Sequence, residues 1–297
     1  MKFTGIWALV LLTSIFMTKT ITADDARLLF EKTLQTEPGK DLTTSLIAGS
    51  VTVTSWSNNE VSVKVYGNDE AEEKIIFTAE NVSSGVKVEG KQKDKRNMKN
   101  LTIRVEIIVP ASYNIALNSS GGSFSIKDVS GKIVTNSSGG SISIDNTVGD
   151  LEAYTAGGNV KIEGSAGDIK VSTSGGSISI NGFKGNIDAS TAGGDIHLDG
   201  GEGKIDASTA GGNIRLNYTG KNYGIDMSTL GGNITATLPA DFDANADIGT
   251  LAGKISCDFA KVEKKSVISS YINTKFNNGG EIFKCTTSAG NIVVTKK

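Results

Sequence analysis

Residues 185–202 read GNIDASTAGGDIHLDGGE, and residues 203–220 read GKIDASTAGGNIRLNYTG. The second stretch is the first one repeated after eighteen residues. The same spacing carries outward in both directions. Gly-Gly pairs close at Gly122, Gly140, Gly158, Gly176, Gly194 and Gly212, and a second series, Gly131, Gly149, Gly167, Gly185 and Gly203, falls halfway between. A fixed period of this length is the mark of a solenoid, in which each repeat forms one coil.

Within each unit, apolar or small residues alternate with polar ones. Ile187, Ala189 and Thr191 precede the Gly-Gly corner of one coil, and Ile196 and Leu198 follow it. Period-two alternation describes a strand with one face inward, so each coil holds two short strands. The glycine corners are expected to supply the positive-φ positions that reverse the chain. Stacking then predicts inward columns such as Ile133, Leu151, Ile169, Ile187, Ile205, Ile225. A column of hydroxyls, Ser137, Thr155, Thr173, Thr191, Thr209, Thr229, Thr250, Thr287, is expected to bond corner backbone groups. The fold expected is all-β: a parallel β-solenoid (β-helix) with two short strands per eighteen-residue coil. The crossover preference for parallel strands makes it right-handed.

The period loosens toward the C-terminus, where Gly232, Gly253 and Gly290 close the last corners. Nine corners imply nine coils, stacked in sequence order over about 40 Å. The division expected is an export signal over 1–23, an irregular β region over 24–110 that caps the stack, and solenoid repeats over 111–297 with a long loop at 258–282. Lys2, the apolar run 6–17 and the small residues before Ala23 make up the signal. That run is too short for a membrane span. A basic stretch, Lys87 with Lys91, Lys93, Lys95, Arg96 and Lys99, reads as a solvated hairpin tip, with a contact for anionic surface polymers as the alternative.

Composition narrows the function classes. Thirty-six glycines, three prolines and 6% aromatic residues suit many corners and a thin core. A net charge of −2 without a basic, aromatic-interleaved face argues against nucleic acid as a partner. No nucleophile elbow, HExxH or Cys-x-x-Cys motif occurs, no glycine-aspartate calcium repeat is present, and no cofactor is expected.

A run of motifs resembles the bacterial putative-adhesin family. It comprises Gly49 to Trp56, Arg104 to Pro110, the repeated S/T-x-G-G-x-I corners, Ile234 to Pro239, and Thr287 to Ile292. The resemblance implies an exported envelope β-solenoid and carries over no catalytic residue. The expected function is that of a non-enzymatic surface or periplasmic protein. It would bind a surface polysaccharide or an envelope protein along a repetitive face. The competing expectation is a carbohydrate-active β-helix enzyme acting on an anionic polysaccharide.

Four sets of residues are candidates for that work. Outward Asp188, Asp206, Asp226 and Asp247 take equivalent positions in four coils expected to be successive, a candidate strip for a divalent cation or a cationic polymer, partly neutralised by Lys204 and Arg215. Ser190, Ser208 and Ser228 lie beside it as candidate sugar contacts. His197, the single histidine, sits outward between Asp195 and Asp199. Cys257 and Cys285 take inward positions on neighbouring coils and are a disulfide candidate in an oxidising compartment.

Overall fold

In the computed structural model, residues 26–94, 100–261, 263–264 and 269–297 are described. The export signal over 1–23 therefore lies outside the described residues, as do Lys95, Arg96 and Lys99.

Two long sheets face one another. The first strand of each coil joins a fourteen-stranded sheet, called here the front sheet, and the second strand joins a thirteen-stranded back sheet. In the regular part, Ile187–Thr191, Ile205–Thr209 and Ile225–Thr229 pair in parallel on the front, with Ile187, Ile205 and Ile225 in register. Ile196–Gly200, Ile214–Tyr218 and Ile234–Leu238 do the same on the back. The inward residues of both sheets form one continuous core. This is the parallel solenoid that the period predicts.

The corner glycines are needed for space. A Cβ on Gly140, Gly158, Gly176, Gly194, Gly212 or Gly232 would strike the carbonyl of the corner glycine one coil earlier. The expected positive φ is found at the corners Gly49, 105°, and Gly122, 127°, but at none of these six; along the regular coils it belongs to the halfway series, from 123° at Gly149 to 150° at Gly203. The first glycine of each pair is unconfined, and Gly193 has nothing nearer than 3.7 Å. Alanine fills that place at Ala252 and Ala289. The hydroxyl column seals each corner from inside. Thr191 Oγ1 donates to the Gly176 carbonyl at 2.8 Å and accepts from the Gly194 N–H at 3.3 Å. Corner groups that face the dry core are thereby satisfied.

The order of coils departs from the order of the sequence at both ends. Ile282–Thr287 lies between Ile225–Thr229 and Ala244–Thr250 on the front. Ile292–Lys296 lies between Ile234–Leu238 and Ile255–Cys257 on the back. The coil at 282–296 is thus inserted between two coils that precede it. The other end mirrors this arrangement: Asp41–Leu46 sits between Gly85–Gln92 and Asn114–Ser119, and Ser50–Trp56 between Ile103–Pro110 and Phe124–Lys127. Gly49 accordingly adds a corner below Gly122.

The segment 258–282, read as a loop, contains Ser270–Phe276, which runs antiparallel to Ala244–Thr250, and Glu263–Lys264 beyond it. Arg27–Gln35 and Ile75–Val82 cover the opposite end as antiparallel outer strands. A short helix, Asp69–Lys74, is capped by Asn68, whose side chain accepts from the Ala71 N–H. Of the basic stretch, Lys87 and Lys91 lie within the strand Gly85–Gln92 on the front sheet. The next described strand, Ile103–Pro110, is on the back sheet, so the two do not pair as the expected hairpin.

Candidate binding faces

Because each coil repeats its neighbour in register, every outward position becomes a column along the stack. On the front sheet the first such column reads Glu152, Lys170, Asp188, Asp206, Asp226, Lys284, Asp247. Asp188, Asp206 and Asp226 are therefore adjacent, but Asp247 is not next to Asp226, because the inserted coil places Lys284 between them. Lys284 Nζ donates to Asp226 Oδ2 at 2.9 Å. At the other end of the aspartate run, Lys170 lies 3.8 Å from Asp188. Arg215, expected to flank the column, sits on the back sheet instead.

Charge along this column is graded. The middle aspartate, Asp206, has its carboxyl raised above the ordinary value by partial burial first, then by Asp226 and Asp188 on either side. Lys284 is raised by its bond to Asp226, and Glu152 is lowered by Lys132 at 2.8 Å. A shallow depression of about 430 Å³ runs over this region, lined by Asp168, Lys170, Asp188, Lys204 and Asp206 among others. Among the described residues, no group of three or more His, Cys, Asp or Glu is placed to hold a metal ion.

The next outward column is uncharged. It reads Asn136, Tyr154, Ser172, Ser190, Ser208, Ser228, Thr286, Gly249. Ser190, Ser208 and Ser228 thus stand beside the aspartates on one face, half-exposed. His197 does not join them. It lies on the back sheet between Ser179 and Arg215, half-buried. The structure unites two of the candidate sets and separates the third.

Cys257 and Cys285 are free thiols in this structure, the first half-buried on the back sheet and the second buried on the front. Burial raises both thiols, Cys285 well above the ordinary value. The coils that carry them are neighbours in the stack, although the later one in sequence lies inside the earlier.

Residues 39–295 match the family described as Toastrack DUF4097, and the chain belongs to that family. Its fold is the toastrack: two long, mostly parallel sheets of stacked strands. Among solved structures, it is similar to a putative adhesin from Bacteroides fragilis NCTC 9343 at 15% identity, with 91% of this chain and 97% of that one covered and a TM-score of 0.43. A putative adhesin from Parabacteroides distasonis ATCC 8503 is 12% identical over 91% and 98%, with a TM-score of 0.42. A putative lipid binding protein from the same organism is 13% identical over 89% and 96%, with a TM-score of 0.39. No curated protein matches the chain. No helix among the described residues is long and apolar enough to cross a membrane.

Proposed function

We propose that this protein is a non-enzymatic, exported, adhesin-like solenoid that holds a surface polysaccharide or an envelope protein along its front face. In this reading residues 1–23 direct export and 24–110 cap the stack. The observation that carries it is the pairing of two registered ladders, Asp188, Asp206, Asp226 and Ser190, Ser208, Ser228. Each rung repeats at one strand spacing, about 4.8 Å. Hydroxyls that donate or accept lie beside carboxylates that accept, and a polymer with regularly spaced hydroxyls meets the same pair of groups at every step. Many weak, linked contacts then add up to useful avidity.

Glycan-array binding of the wild type and of Asp206→Asn/Asp226→Asn tests this reading, together with an assay for cleavage of anionic polysaccharides. Binding that falls in the double variant, with no cleavage products, is the expected outcome. Product formation would replace it with the enzymatic reading. A low-affinity divalent cation on the aspartate strip is a separate part of the proposal, since oxygen ligands suit calcium. It predicts a higher melting temperature in millimolar calcium than in chelator for the wild type, and no such difference for the double variant. His197, on the back sheet, is assigned at most a separate contact, and its substitution by Ala is expected to leave front-face binding unchanged.

A further inference from the structure

The eighteen-residue rhythm breaks at 219–224, at 239–243 and at 277–281. These three segments lead into Ile225–Thr229, Ala244–Thr250 and Ile282–Thr287 respectively, and the last of these strands lies between the other two. The insertion therefore brings together three irregular loops that are far apart in sequence. They enclose a cleft of about 850 Å³, a size at which clefts hold small ligands.

The cleft is firmly built. Phe242 is buried in one of its loops, edge-on to Tyr218 at 5.9 Å and to Phe283 at 5.8 Å. Burial pushes the Tyr218 hydroxyl up to about 12, so it remains a donor, giving bonds to the carbonyls of Lys221 at 2.7 Å and Gly203 at 3.2 Å. Asn222 Nδ2 ties all three loops, donating to the carbonyls of Glu281 at 2.8 Å and Asp243 at 3.2 Å. Asn277 Nδ2 donates to the carbonyl of Phe242 at 3.0 Å. A ligand would find these walls already shaped, which lowers the ordering cost of binding.

The chemistry of the lining is one-sided. Glu202, Asp241, Asp243 and Glu281 share the cleft with one cation, Lys221, and with Tyr223, which is 52% exposed. Among the described residues, none of these four carboxylates is in an ion pair. On the sheet faces, by contrast, Asp145, Glu152, Glu163 and Asp226 each have a lysine. The carboxylates are also too dispersed to share a metal ion. Dispersed acceptors beside an exposed ring fit an extended ligand that carries positive charge and presents a flat, partly apolar face.

We propose that this cleft binds saccharide rings bearing protonated amino groups. A sugar ring lies against Tyr223, whose π-face attracts both C–H edges and ammonium groups. Asp241 and Glu281 accept from the ammonium. The proposal shares with the preceding section the premise that the protein binds a glycan, but it places the contact on other residues, so the two can fail separately.

The test is calorimetric titration at pH 6 with a glucosamine tetramer, its fully N-acetylated counterpart and tetralysine. The proteins are the wild type, Tyr223→Ala, Asp241→Asn/Glu281→Gln and Asp206→Asn/Asp226→Asn, each checked for a cooperative melt and a wild-type circular-dichroism spectrum. The exposed carboxylates of Asp241 and Glu281 make no side-chain bond that folding needs. The glucosamine tetramer is expected to bind the wild type. Its Kd is expected to rise about tenfold or more in both cleft variants, to stay unchanged in the front-face variant, and to rise with salt. Equal binding of the N-acetylated tetramer, tighter binding of tetralysine, or no binding at all would each overturn the proposal. So would binding that survives in the cleft variants. Loss confined to Asp206→Asn/Asp226→Asn would overturn it while leaving the front-face reading standing.

Discussion

The hydroxyl of Thr287 donates to the carbonyl of Gly232 at 2.9 Å, and that of Thr250 donates to Gly290 at the same distance. In the coils of Thr155, Thr173, Thr191 and Thr209 the threonine reaches back fifteen residues, as Thr209 does to Gly194. Here the partners are 55 and 40 residues apart, and Thr250 bonds a corner that comes after it in the chain. One repeated local bond thus records the insertion of the coil at 282–296.

The corner geometry makes the two glycines of a pair unequal. Gly194→Ala places a methyl on the Gly176 carbonyl and is expected to cost about 3 kcal/mol or more, because backbone must move. Gly193→Ala meets nothing nearer than 3.7 Å and is expected to stay within about 0.5 kcal/mol of the wild type. Urea unfolding of the two variants checks this, and equal midpoints would show that the corners do not stack as described.

Threonine to valine is expected to change sign between two columns. Thr135 Oγ1 is buried with no partner among the described residues, so Thr135→Val removes an unpaired hydroxyl and is expected to stabilise by about 1 kcal/mol. Thr287→Val leaves the Gly232 carbonyl without its donor and is expected to cost about 1–3 kcal/mol. Thermal melts of both variants decide the matter.

The raised carboxyl of Asp206 has a pH consequence. Its folded-state pKa lies above the unfolded value through burial, Asp226 and Asp188, so the folded state binds this proton more tightly. Stability from this group is present below the unfolded value, near 3.9, and falls as pH rises through the folded value. Asp206→Asn is therefore expected to melt slightly above the wild type at pH 7, with the gain vanishing near pH 3. A gain that grows toward low pH would contradict this.

The two thiols are expected to react in order. Under native conditions an alkylating reagent is expected to label half-buried Cys257 slowly, and buried Cys285 only after unfolding. Intact mass without reductant reads this directly. Failure to label either cysteine after unfolding, reversed by reductant, would establish the disulfide instead.

The regular coils were legible because their physics is local. Alternation, corner glycines and the hydroxyl column each recur at a spacing visible in the sequence, so the faces of Ile205 and Asp206 follow from one unit. The coil order at the ends was not legible. Thr229, Thr250 and Thr287 are equivalent by pattern, and nothing nearby distinguishes the neighbour that pairs with Ile225–Thr229. That choice depends on the antiparallel return of Ser270–Phe276, a strand whose burial pattern lacks strict alternation. The separation of Asp226 from Asp247 by Lys284 was hidden for the same reason. The cleft at Tyr223 was hidden because its walls are joined only by that pairing. Sequence motifs placed His197 outward but could not set it against the front-face serines, which needs the sheet assignment.

The coil at 282–296 is held on both flanks of both sheets, as is the one at 41–56 at the other end. A strand at an open edge peels away one hydrogen bond at a time under tension. Ile282–Thr287 and Ile292–Lys296 instead carry load in shear, with two ladders resisting together. Tension on Lys296 therefore falls first on an interior coil. The edge strands, Ile255–Cys257 on the back sheet and Glu263–Lys264 on the front, belong to chain that precedes it, and force spectroscopy would find those edges yielding before the coil at 282–296.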